Sequence, residues 1–149
     1  MRIFEVMTKE VETVAPTLIA AEAAERVRQN RIRHLVVKDG RTIVGVLSDR
    51  DVRGRGAAQL TQQTVADLMT RSAASIGPRD TVRAAANLMR GRTIGCLPVV
   101  ERERLIGIVT VTDLLDLLGR GVDRSTQPER VSLHYRVPHR KQRRFSAAW

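Results

Sequence analysis

The chain has 149 residues and a formal net charge of +10, and its single cysteine, Cys96, excludes an intrachain disulfide and points to a reducing, cytoplasmic setting. No apolar run approaches the roughly 20 residues that span a bilayer, and the start Met1-Arg2-Ile3-Phe4-Glu5-Val6 lacks the apolar stretch of a secretory signal, so no membrane partner is expected. The length suits one compact domain or two intimate halves with a joint core.

Along the chain the sequence repeats itself at a constant offset of 62 positions. Met7-Thr8 recurs as Met69-Thr70, Pro16 as Pro78, Ile32-Arg33-His34-Leu35 as Ile94-Gly95-Cys96-Leu97, Gly45 as Gly107 and Asp51 as Asp113. Two copies are too few for a solenoid. They imply a pseudo-two-fold pair with equivalent clefts at the seam, where ligands are expected.

Val14 and Ile76, each two residues before a proline, predict a short strand at the head of each copy. Ile19, Ala20, Ala23, Ala24 and Val27 then recur at helical spacing, with Glu22, Glu25, Arg26 and Arg28 on the other face, which predicts an amphipathic helix over 19–30. Val82, Ala85, Ala86 and Met89 answer in the second copy. Leu35-Val36-Val37, a turn over 38–41 and Thr42 to Leu47 read as a β-hairpin, repeated as 97–100, a turn over 101–104 and 105–109. A helix follows from near Ser48 through Asp51-Val52, and from near Thr110 through Asp113 to Leu118. Residues 54–64 read as a connector, and Gly119-Arg120-Gly121 as the end of the folded part. The expected class is mixed α/β (α+β), with each unit running strand, helix, strand, strand, helix, and with limits 1–58, 59–118 and a tail 119–149.

The tail holds 8 Lys/Arg against 2 Asp/Glu, whereas residues 1–118 hold 18 against 14. Arg136, His139, Arg140, Lys141, Arg143 and Arg144 surround Pro138, so a poorly ordered basic segment is expected. Such a segment can contact nucleic acid by counterion release, and the pair of repeats would then be a dimeric scaffold for it. Charge runs are common and nothing in this one reads bases, so the favoured reading is a solvated tail with no partner.

Gly45-Val46-Leu47-Ser48-Asp49-Arg50-Asp51 and Gly107-Ile108-Val109-Thr110-Val111-Thr112-Asp113 carry the chemistry. Each places a hydroxyl at the start of a helix, beside free N–H groups that suit a phosphate. A carboxylate one turn later can accept from a ribose diol, and the glycine leaves room for a flat base. The same Ser/Thr-x-x-Asp spacing is also a near-variant of the capping box, which needs no ligand. Asp49 with Asp51 does not make a metal pair, and His34, His134 and His139 lack zinc-ligand spacing. Cys96 has no histidine base in pattern, and no P-loop is present. No catalytic constellation emerges, and an enzyme is not expected.

With Met-Thr at 7–8 and 69–70, Leu97-Pro98-Val99-Val100 and the two Gly-to-Asp segments, residues 3–118 resemble a tandem pair of cystathionine-β-synthase-type (CBS) domains, also called a Bateman module. The resemblance implies a non-catalytic sensor of adenosine-containing ligands such as AMP, ADP, ATP or S-adenosylmethionine, a homodimer, and a separate target protein. It implies ribose contacts from Asp51 and Asp113, and phosphate contacts from Ser48 and Thr110. Thr13-Val14-Ala15 and Ser75-Ile76-Gly77 would border the adenines, against the glycines Gly45 and Gly107. Arg33 and His34 would reach the phosphate held with Thr110 and Asp113, with Thr112 beside it. The second copy has Gly95-Cys96 in their place, so the cleft of Ser48 and Asp51 would hold phosphate less well, with Arg50 in partial compensation. The first copy also departs from the family pattern by carrying Val36 where the second has Pro98. With both clefts empty, the same pair would be a ligand-free structural dimer.

Overall fold

The computed structural model describes residues 1–71 and 74–122. Strand β1 (Thr13–Val14) leads to helix α1 (Ala20–Gln29), then to the hairpin of β2 (His34–Asp39) and β3 (Thr42–Ser48). Three short helices follow: α2 (Asp49–Val52), α3 (Ala57–Gln62) and α4 (Val65–Leu68), before β4 (Thr70–Arg71). The second copy supplies α5 (Val82–Arg92), the hairpin of β5 (Cys96–Glu101) and β6 (Arg104–Thr110), and α6 (Val111–Val122).

The first sheet has the order β1-β2-β3-β4, with β1 parallel to β2 and the other pairs antiparallel. The second is built around β5 and β6, and single-residue bridges extend it in the same order: Ile76 lies parallel to Val99 and Thr8 antiparallel to Ile108. Alternation on the strands sorts side chains to opposite faces. Leu35, Val37 and Leu47 join Val14, Ala20, Ala23 and Val27 in one core. Leu97, Val99 and Val109 join Ile76, Ala85 and Met89 in another. Between them Val36 and Val46 meet Cys96 and Ile108, so the remaining sheet faces close on each other as a third apolar layer.

The flanks of the two repeats cross over. Thr70 of β4, which precedes the second repeat, pairs with Val46 of the first, and Thr8 pairs with Ile108 of the second. Backbone bonds extend the exchange: Ile3 N–H donates to Asp80 and Phe4 N–H to Pro78, as Val65 N–H donates to Leu18 and Ala66 N–H to Pro16. Ile3 is fully buried in the second core, and Val65 and Leu68 close the first. Each half is therefore completed by the segment preceding the other, a non-local exchange that the repeat alone does not reveal.

Helix α1 ends in a Schellman arrangement that fixes the turn into β2. Arg31 adopts φ 52°, and Ile32 N–H donates to the Val27 carbonyl. Thr93 (φ 54°) and Ile94 repeat this after α5.

Three expectations are corrected. The 54–64 connector contains α3, whose Ala57-Ala58-Gln59-Leu60 run consists of good helix formers and packs beside α1. The helix after Ser48 ends at Val52 as expected, ahead of Gly54 at φ 80°, but α6 continues through Gly119 to Val122, past the expected end. Ala86 is exposed, and Ala85 with Met89 carries the buried face of α5. Arg136, His134, His139 and the rest of the basic tail lie outside the described residues.

Candidate functional site

Ser48 and Thr110 end β3 and β6 and cap the helices that follow. Ser48 N–H and Oγ donate to Asp51 Oδ2 at 2.7 and 2.9 Å, and Thr110 N–H and Oγ1 donate to Asp113 Oδ2 at the same distances. Asp113 N–H also donates to Thr110 Oγ1 at 3.2 Å. The capping box is therefore real in both copies, and each half-buried carboxylate spends one oxygen on it. Among the described residues, Oδ1 of Asp51 and of Asp113 accepts no hydrogen bond, so one oxygen of each is unused.

The other predicted residues fall around these two caps in different ways. β1 forms an edge of its sheet, with Val14 buried and Thr13 and Ala15 exposed. Ile76 is likewise buried between Ser75 and Gly77, and it exchanges bonds with Pro98 and Val100. The Gly77 N–H is committed to Asp80 Oδ2 at 2.8 Å. Arg50 and Thr112 stand exposed beside their caps.

His34 lies opposite Ser48 on β2, its Nε2 lies 3.5 Å from where a Cβ at Gly95 of the second copy would stand, and the charges of both Asp51 and Asp113 act on it. Burial holds its pKa below the usual 6.5, with the Arg33 charge adding to this and the two carboxylates opposing it. Burial pushes the thiol of Cys96, its counterpart in the second copy, up to about 12, with the Asp51 charge adding to the rise. That thiol stays protonated and is not a nucleophile.

Gly45 and Gly107 have a structural explanation. A Cβ at Gly45 would fall 2.6 Å from the Thr70 carbonyl oxygen, and one at Gly107 would fall 2.7 Å from the Met7 sulfur. The space expected for a base at these glycines is filled by the crossing Met-Thr segments.

Arg33 lines an open groove of about 400 Å³ between α1 and α2, with Arg28, Arg31 and Arg53. The sequence does not reveal this groove, because four arginines in a chain with 26 Lys/Arg carry little signal before the fold gathers them. Among the described residues, no cluster of His, Cys, Asp and Glu could hold a metal ion, and no helix is long and apolar enough to cross a membrane.

The CBS domain family model matches residues 3–57 and 65–120. The chain is 33% identical over 112 residues to the CBS domain-containing protein YhcV of Bacillus subtilis, covering 74% of this chain and 80% of that protein. It is 36% identical over 107 residues to inosine-5'-monophosphate dehydrogenase of Korarchaeum cryptofilum, but spans only 22% of that enzyme against 71% of itself. The CBS-domain protein ATU1752 of Agrobacterium tumefaciens superposes with a TM-score of 0.71 at 28% identity, over 79% of this chain and 99% of that one. The CBS pair of protein MJ0100, solved with 5'-methylthioadenosine and S-adenosyl-L-methionine, superposes with a TM-score of 0.71 at 27% identity, over 81% and 98% of the two chains. Two matched segments in register, the crossed flanks and the duplicated Gly-to-Asp turn lead to one conclusion: the chain belongs to the CBS domain family and carries a tandem pair of its domains.

Proposed function

We propose that this CBS pair is a regulatory sensor that binds an adenosine-containing ligand in the clefts marked by Ser48 with Asp51 and by Thr110 with Asp113. The observation that carries the reading is the half-used carboxylate. In both copies one oxygen of Asp51 or Asp113 is fixed by the cap while the other accepts nothing among the described residues. A carboxylate held in that way is pre-oriented to accept from a ribose diol. The adenosine-type ligands in the MJ0100 pair support the same class. Thr13, Ala15 and Ser75 offer exposed edge positions for an adenine.

The two clefts are unequal. The charges of both Asp51 and Asp113 act on His34, which has Cys96 as its counterpart, so an anionic ligand gains a titratable partner from the first copy alone. We assign the stronger phosphate site to Thr110 and Asp113. A homodimer accords with the outer apolar surface of α6, where Leu115 and Leu118 are 59% and 66% exposed. The target would be a separate protein whose packing differs between the liganded and free pair.

Calorimetric titration of AMP, ADP, ATP and S-adenosylmethionine into wild type, Asp51→Asn and Asp113→Asn tests the proposal. Asparagine keeps an oxygen acceptor for the cap, so loss of binding reports the ligand contact rather than unfolding. One ligand should bind, and Asp113→Asn should weaken AMP more than Asp51→Asn does. Undiminished affinity in both variants would remove the carboxylates from the site.

A further inference from the structure

The groove between α1 and α2 lies outside the cap-marked clefts, and its chemistry is specific. Its floor is apolar, from Ala24 and Val27 of α1 with Ile32 and Val52. Arg28, Arg31, Arg33 and Arg53 also line it, together with Asp49. Arg28 is held by Glu25 at 2.6 Å and Arg53 by Asp49, but both arginines are largely exposed, so these pairs are weak and exchangeable. Arg31 and Arg33 have no carboxylate partner among the described residues.

The carbonyl end of α1 points toward this region and would repel an anion, but its last acceptors are occupied. Asn30 N–H donates to the Arg26 carbonyl, Arg31 N–H to Arg28 and Ile32 N–H to Val27. The second copy serves as an internal comparison. Arg28 has Arg90 as its counterpart, but where the first copy has Arg31, Arg33, Asp49 and Arg53, the second has Thr93, Gly95, Val111 and Leu115. Three of the four arginines are thus particular to the first copy and not a requirement of the fold.

We propose that this groove is a separate binding site for a small organic phosphate monoester, with the apolar body on Val27, Ile32 and Val52 and the dianion between Arg31 and Arg33. A volume of about 400 Å³ falls within the range of small-molecule pockets, and planar guanidinium forks match phosphate oxygens. The site stands independently of the nucleotide reading.

Phenyl phosphate is the probe, titrated into the full chain with labelled methyl groups and followed by NMR. The expected result is saturable shifts at Val27, Ile32 and Val52, with Val14 and Ile76 unmoved. Arg31→Gly places glycine where φ is 52°, so the variant should fold, and it should weaken phenyl phosphate by about tenfold or more. Its AMP affinity should be unchanged. Inorganic phosphate and phenylacetate should each bind more weakly than phenyl phosphate, the first lacking the body and the second the dianion. Shifts confined to Val14 and Ile76, no shift at all, or equal binding by Arg31→Gly would each overturn the proposal.

Discussion

Met69 lies across Gly45, so close that a Cβ there would meet its sulfur at 2.8 Å and the Thr70 carbonyl oxygen at 2.6 Å. Met7 stands in the same relation to Gly107, where the nearest atom is the sulfur at 2.7 Å and the Thr8 carbonyl oxygen lies at 3.0 Å. A side chain can yield more readily than a paired backbone. Gly45→Ala should therefore destabilise by about 2 kcal/mol and Gly107→Ala by about 1 kcal/mol, as overpacking does. Urea midpoints at unchanged slope measure both, and an inverted order would contradict the crossing-strand account.

Ile3 is fully buried among Ile76, Ala85, Leu97 and Val109, more than seventy positions away in the chain. Ile3→Ala should cost about 3 kcal/mol. The informative quantity is where protection against hydrogen exchange falls. It should fall in α5, β5 and β6 rather than in α1 and β2, and Val65→Ala should show the opposite pattern.

Thr93 is β-branched and sits in the left-handed region at φ 54°. Thr93→Gly should stabilise the protein by about 1 kcal/mol, since glycine adopts that conformation without the Cβ clash. Thermal unfolding should show a raised midpoint.

His34 has its pKa lowered by burial and by Arg33, against the pull of Asp51 and Asp113, with Arg50 also lowering it. Its folded value lies below the unfolded 6.5, so the unfolded chain takes up the proton first as pH falls. The contribution to stability is full above about pH 6.5 and is lost progressively as pH falls to and through the folded value. Stability against pH in wild type and His34→Gln should diverge only in that acidic window. Binding an anion beside His34 would raise its pKa, so AMP binding should take up protons in the same range.

Much of this arrangement is legible in the residues. Apolar periodicity locates α1, the β-branched runs with their polar turns locate both hairpins, and the offset of 62 announces two equivalent halves. The crossing is not legible, because the partner of Thr8 is Ile108 and a two-residue pairing leaves no periodic trace. Gly45 and Gly107 for that reason read as room for a base, whereas Met69 and Met7 account for them. Ala57 to Gln62 was hidden by the flanking Gly54 and Gly56, which suggested a loop despite good helix formers between them. The caps at Ser48 and Thr110 are visible as spacing, but spacing does not separate the oxygen committed to the cap from the unused one.

The exchanged flanks also set a schedule for synthesis on the ribosome. The first core can close as soon as Leu68 to Arg71 has emerged, but Ile3 and Thr8 must wait for Val109 and Ile108. At roughly 5–20 residues per second, that is a delay of about 5–20 s during which a buried isoleucine has no pocket. The nascent chain thus carries an exposed apolar end until nearly all of the second domain has been made.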